Sequence, residues 1–249
     1  MPRQNRVNPF GEIIATPERG TFMGNRGVLH DDEGRIRRKW QGKRWIVCVL
    51  EFRGRKRKVM TPSRYTELFF LDEATALAAG HRPCAECRRE RCKSFCSAWQ
   101  QAHPQKAGSQ PSASDIDNCL NAERVAPKNL SVANLADLPN GVFIKFAEEP
   151  HLVHNDWLLA WSAGGYTKRM DRPQNAEVIV LTPKSTVATI RAGYVPEIHT
   201  SANRWGDGPS YASRHSNCRD PLSFCNNNSG RTPKDGTMRI LTFVANWGE

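Results

Sequence analysis

The sequence predicts an α+β fold in two parts: a basic, cysteine-bearing N-terminal domain with a β-hairpin and helices, then a small β-rich domain. Three observations carry this reading. Cys84 and Cys87 stand three residues apart in Gly80-His81-Arg82-Pro83-Cys84-Ala85-Glu86-Cys87-Arg88-Arg89, on a tight turn that opens a helix. Residues 1–100 hold 21 Lys/Arg against 11 Asp/Glu, whereas residues 101–249 hold 15 against 14, so the net +11 lies almost wholly in the first part. Beyond residue 140, short β-branched and aromatic runs alternate with turn residues, the signature of antiparallel strands.

In chain order, Gly20–Gly27 is punctuated by glycine and reads as a loop. Trp45-Ile46-Val47-Cys48-Val49-Leu50-Glu51-Phe52 is a strand, Arg53-Gly54-Arg55 a turn, and Lys56–Met60 the returning strand of a hairpin. Asp72 N-caps a helix over Glu73–Ala79 that Gly80 ends. A second helix runs from about Cys87 to Gln101, with Phe95 and Trp99 on one face. These elements form a domain over 1–102. His103–Ser114 has linker composition, rich in Pro, Gln, Ser and Gly.

The second domain, 115–202, begins with a short helix at Ile116–Val125. Strands follow at 141–146, 151–153, 157–161 and 178–181, the second and third joined through Asn155-Asp156. Thr182-Pro183 starts a helix over Ser185–Ala192 that Gly193 closes. The segment 203–249, rich in Asn, Ser and Gly, reads as a loosely organised tail with one late strand at 240–244.

Two thiolates at this spacing make half of a tetrahedral zinc site, which makes the first domain a zinc-knuckle domain. Pro83 stiffens the approach, and the dipole of the following helix favours thiolate at Cys87. Cys48 is the third candidate ligand, and the fourth is open among His30, His81, Cys92 and Cys96, with His30 entered as the working choice because it follows the glycine loop. Cys218 and Cys225, seven residues apart in an Asn-rich stretch, make a poor second site. The bland alternative is a pair of reduced cysteines at a helix start and a core thiol at Cys48.

The stretch Phe70-Leu71-Asp72-Glu73-Ala74-Thr75-Ala76-Leu77-Ala78-Ala79-Gly80-His81-Arg82-Pro83-Cys84-Ala85-Glu86-Cys87 resembles the Ada-type zinc-binding domain. In that family a helix ending in Ala-Ala-Gly-aromatic-Arg-Pro delivers the second cysteine pair of a four-cysteine zinc site. The resemblance implies a zinc domain that grips DNA backbone, in a family tied to repair of methylated phosphates. It carries over Cys84 and Cys87 as ligands. Where the family has its first Cys-x-x-x-Cys pair, this chain has Cys48 alone, with Arg53 and Arg57 beyond it, so methyl transfer is not carried over. The rest of the chain resembles a group of bacterial proteins from which no activity follows.

Eleven Lys/Arg lie between Arg35 and Lys58 against one acid, Glu51. On a strand, Arg53, Arg55 and Arg57 share a face by period two, and Arg88, Arg89 and Arg91 add a second row on the helix after the knuckle, with Arg82 before it. Such a set expects a polyanion, and the partner expected is nucleic acid, double-stranded DNA first. The alternative is a metal-dependent nuclease, with His30, Asp31 and Asp32, or His81, holding Mg²⁺ or Mn²⁺ and doing the chemistry. A solvated charged face is the bland reading of the same residues.

No apolar run approaches the roughly 20 residues of a membrane span, so no membrane partner is expected. The N-terminus leads into no apolar stretch, so the eight cysteines are expected as thiols or metal ligands in a reducing cytoplasm. His151, His154 and Asp156 read as turn residues, and Trp157 and Trp161 as core.

Overall fold

The computed structural model describes residues 1–55, 58–104, 111–125 and 131–205. The described chain is mixed α and β, with two six-stranded sheets and four α-helices. The first sheet contains β1 (Gln4–Val7), β2 (Ile13–Ala15), β3 (Phe22–Asn25), β4 (Ile46–Val49), β5 (Leu68–Phe70) and β6 (Arg82–Pro83) in the order β2-β1-β5-β3-β4-β6. Its β1–β5 and β4–β6 pairs are parallel and the others antiparallel.

The second sheet contains β7 (Ser131–Asn134), β8 (Phe143–Phe146), β9 (Glu149–His154), β10 (Trp157–Ser162), β11 (Gly165–Asp171) and β12 (Glu177–Val180) in the order β11-β10-β9-β8-β12-β7. Every neighbouring pair in it is antiparallel. The turn from β9 to β10 places Asn155 at φ 52, a conformation that Asn tolerates better than most residues.

Helix α1 (Glu73–Ala78) is buried along its whole length, because its sides meet different cores. Ala76 packs with Val47, Leu68 and Phe70 of the first sheet, and Ala74 and Ala78 with Phe143, Leu152 and Leu159 of the second. Leu77 joins a third cluster with Phe95 and Trp99 of α2 (Arg89–Ala102), Ile116 and Leu120 of α3 (Ala113–Val125), and Val187 and Ile190 of α4 (Lys184–Arg191). A short helix of mostly small apolar residues fits such a site because it carries no polar face to solvate. Asp72 caps it, accepting the Thr75 N–H at 2.8 Å and the Tyr166 hydroxyl at 2.6 Å. Gly80, at φ +86, ends it as the sequence indicates; a Cβ there would lie 2.9 Å from the Arg124 side chain.

The basic hairpin does not form as expected. The antiparallel partner of β4 is β3, with Met23 opposite Cys48 and Gly24 opposite Val47. The glycine-punctuated stretch expected as a loop is therefore a strand. Gly24 marks a close approach between strands: a Cβ on it would lie 2.2 Å from the Ile46 carbonyl oxygen. Arg53 and Arg55 lie in a turn, with Arg53 at φ 52 and Gly54 at φ 64, so they form no period-two face. Arg57, half of the 103–114 linker (105–110), Cys218, Cys225 and the 240–244 strand lie outside the described residues. No helix among the described residues is long and apolar enough to cross a membrane.

Candidate metal centre

The site is assembled by the parallel β4–β6 pairing. Arg82 N–H donates to the Trp45 carbonyl at 3.1 Å and Cys84 N–H to the Val47 carbonyl at 2.9 Å, which lays Cys84 beside Cys48. Pro83 has no N–H to contribute, and β6 is an edge strand where none is needed. After Cys84 the chain turns tightly: Arg88 N–H donates to the Cys84 carbonyl at 3.1 Å, and Glu86 N–H to Cys84 Sγ at 3.4 Å. That turn swings Cys87 back, and the Sγ atoms of Cys48, Cys84 and Cys87 all lie within 4.8 Å of one another. Met23 packs against Cys48 and Cys84, while Ile46 and Phe69 border the cluster.

The electrostatics favour thiolate at one corner. Cys84 is lowered to about 5 by the Cys48 S–H bond, against the cost of burial, and by the Cys87 and Glu86 N–H groups. Cys48 is pushed up by donating that S–H bond and by burial, and Cys87 is pushed up chiefly by burial. Three soft donors gathered this closely suit a thiophilic metal ion, and backbone N–H donors to sulfur stabilise the charge a metal-bound thiolate carries. Among the described residues, no fourth His, Cys, Asp or Glu joins the group.

His30 is not with the thiols. Its ring nitrogens bond Thr66 Oγ1 at 2.6 Å and the Thr61 carbonyl at 3.3 Å, which fixes the start of the loop between β3 and β4. Asp31 does not assemble with it as a cation site. Asp31 accepts from Arg35 Nε at 2.8 Å and Arg37 Nε at 2.7 Å, and these bonds hold its carboxyl well below the usual range although desolvation opposes them. Asp32 is exposed beside it.

His81 is fully buried, so it presents no face to a substrate. Its Nδ1–H donates to the Ala76 carbonyl at 3.2 Å and its Nε2 accepts from Arg26 Nε at 3.3 Å. Burial first, then the charges of Arg26 and Arg124, lower it well below the ordinary histidine value and keep it neutral. Those two arginines sandwich the Trp45 ring at 4.3 and 4.1 Å. Cys92 and Cys96 share a thiol hydrogen bond one turn apart on α2, and neither belongs to the three-sulfur group.

The six arginines expected on phosphate divide sharply. Arg82 is 3% exposed and forks both carboxylate oxygens of Asp117 at 2.8 Å, fastening β6 to α3. Arg88 is 5% exposed and bridges Glu73 and Glu197, each at 2.7 Å. Both face inward, a correction to the expected row, because the buried carboxylates of Asp117 and Glu73 claim them. Arg55 is exposed and pairs with Glu86 at 2.6 Å, tying the turn after β4 to the knuckle turn. Arg53, resting on the Phe52 ring, and Arg89 are exposed and enter no ion pair among the described residues.

Sequence reasoning passed over Phe69, which packs from β5 against the cluster of Met23 and the thiols, although Leu68-Phe69-Phe70-Leu71 is an apolar run with strand character. It also passed over Trp40, 41% exposed among Arg38, Lys39, Lys43 and Arg44 in the loop before β4. Trp157 and Trp161, expected in the core, are half-buried and pack against the Phe143–Leu159 cluster from its border. No family model, curated protein or solved structure matches this chain.

Proposed function

We propose that this is a zinc-stabilised DNA-binding protein in which Cys48, Cys84 and Cys87 hold the ion and exposed cations around the knuckle engage the phosphate backbone. The observation that carries the reading is the thiol cluster itself: it pins β4, β6 and the start of α2 together where Arg53 and Arg89 stand exposed without acidic partners among the described residues. Zinc suits three thiolates better than a hard cation does, and bound there it would supply a cross-link that the small local core lacks. Arg38, Lys39 and Arg44, all exposed, extend the positive surface along the loop before β4. The resemblance to the Ada-type domain points the same way, with DNA processing or repair as the setting.

Elemental analysis and DNA titration test this together. The purified protein should carry one equivalent of zinc, reduced in Cys48→Ser, Cys84→Ser and Cys87→Ser. Anisotropy titrations of duplex DNA should then show a log–log salt slope of roughly −4 to −5, as five phosphate contacts at about −0.9 each require. Arg53→Ala and Arg89→Ala should each flatten it by about one. Zinc-loaded protein that binds duplex with no salt dependence, or not at all, overturns the reading.

A further inference from the structure

At the β1 side of β5, where Arg6 stands opposite Phe69, lies an open pocket of about 500 Å³, lined by Arg3, Asn5, Arg6, Thr16, Lys58 and Phe69 together with Pro2, Pro17 and Val59. Three of these residues are cations and none is acidic. What fixes the two arginines is neutral. Arg3 Nη1 donates to the Val59 carbonyl at 2.6 Å, Arg6 Nε donates to the Glu18 carbonyl at 2.6 Å, and Arg6 Nη1 also donates to Asn5 Oδ1. Each guanidinium is therefore held in place, keeps further N–H groups, and enters no ion pair among the described residues.

Burial, and then the nearby charge of Arg19, lower the Arg6 pKa. Arg6 lies over the Phe69 ring at 4.9 Å, and that ring in turn packs against the cluster of Met23 and the thiols, with Met23 as its cross-strand neighbour.

Fixed guanidinium forks with no carboxylate suit phosphate, whose oxygens accept paired N–H bonds. The open pocket leaves room for more than a bare phosphate, and Phe69 offers an aromatic face beside the cations. We infer that this pocket binds the phosphate of a nucleotide, held by Arg3, Arg6 and Lys58 on the far side of Phe69 from the thiol cluster. The ligand is either a free mononucleotide or a phosphorylated strand end. The inference goes beyond duplex binding and does not depend on it, since it uses none of the knuckle cations.

Calorimetry on the zinc-loaded full chain tests it with inorganic phosphate, a nucleoside 5′-monophosphate, the same nucleoside without phosphate, and a short oligonucleotide with and without a 5′-phosphate. The monophosphate should bind and the bare nucleoside should not. Arg3→Gln and Lys58→Gln, both at exposed positions where folding is not at stake, should each weaken it by about tenfold or more, the scale of one charge-assisted hydrogen bond. Binding of the 5′-phosphorylated oligonucleotide alone, weakened by the same variants, assigns the site to strand ends and supports the inference. Equal affinity for nucleoside and nucleotide, indifference to both variants, or no binding of any phosphate probe overturns it. Failure here would leave the salt-dependent duplex titration intact, and failure there would leave this pocket intact.

Discussion

The two sheets contain the same number of strands but are stabilised by different means. In the second sheet, Ile144, Val153, Leu158, Val178 and Val180 form a continuous apolar layer with Phe95, Trp99, Ile116 and Leu120 of the helices. At the thiol edge of the first sheet the strands are two to four residues long; Val47 of β4 reaches the Leu68–Phe70 core on one face, and on the thiol face the buried cluster is only Met23, Cys48 and Cys84. Apolar burial of that size does not offset the entropy of ordering the edge. The edge relies instead on specific links: thiols that can share a metal ion, and arginines forked onto buried carboxylates. One region is held by area and tolerates substitution by degrees, whereas the other is held by a few bonds and fails when one is cut.

Removing the proposed zinc should break this comparison most visibly. Chelation, or Cys84→Ser, should cost on the order of 5 kcal/mol, about 10–20 °C in melting midpoint for a chain of this size. Amide exchange should accelerate over β4, β6 and the first turn of α2 while β9 and β10 keep their protection. Uniform loss of protection in both sheets would show that the edge is no separate unit.

Glu73→Ala comes next, at roughly 3–5 kcal/mol in urea unfolding, because it strips the buried Arg88 of its buried carboxylate partner. Arg88, Arg91 and the Tyr194 hydroxyl all converge on Glu73, and with the Glu197 N–H they hold its carboxyl below the usual range even though burial pushes it up. A cost below about 1 kcal/mol would mean that Glu197 alone satisfies Arg88.

Leu158→Ala, in the apolar layer, should cost about 3 kcal/mol and cost the same with and without chelator. A metal-dependent cost would couple the two regions.

The smallest effect is a pH slope from His81. Its folded-state pKa is depressed, so above about pH 6.5 both states are neutral and nothing is lost. As pH falls below that value, the unfolded chain takes up a proton that the folded chain refuses. Stability should then drop by up to about 1.4 kcal/mol per pH unit until His81 itself is protonated. Urea titrations of wild type and His81→Gln should differ by this component, and parallel pH profiles would assign the slope elsewhere.

Local chemistry was legible in the sequence to the extent that it is local. The cap at Asp72, the stops at Gly80 and Gly193, the α2 face bearing Phe95 and Trp99, and the turn at Asn155-Asp156 each depend on neighbours within a few residues. The Cys84–Cys87 turn is of the same kind, so half of the thiol cluster could be read directly, and Cys48 could be named only as a candidate.

What the tertiary structure alone decided involves partners far apart in the chain. Gly24 reads as a loop residue until the Ile46 carbonyl is set against it, and β4 lacks its true neighbour until β3 is recognised as a strand. A basic row looks uniform along the sequence, yet Asp117 draws Arg82 inward, Glu73 and Glu197 draw Arg88 inward, and Arg53 and Arg89 remain outside. Composition determined that the first hundred residues carry the excess charge. Strand pairing and buried ion pairs determined which of those charges face solvent, because burial is a property of the packed neighbours and not of the residue itself.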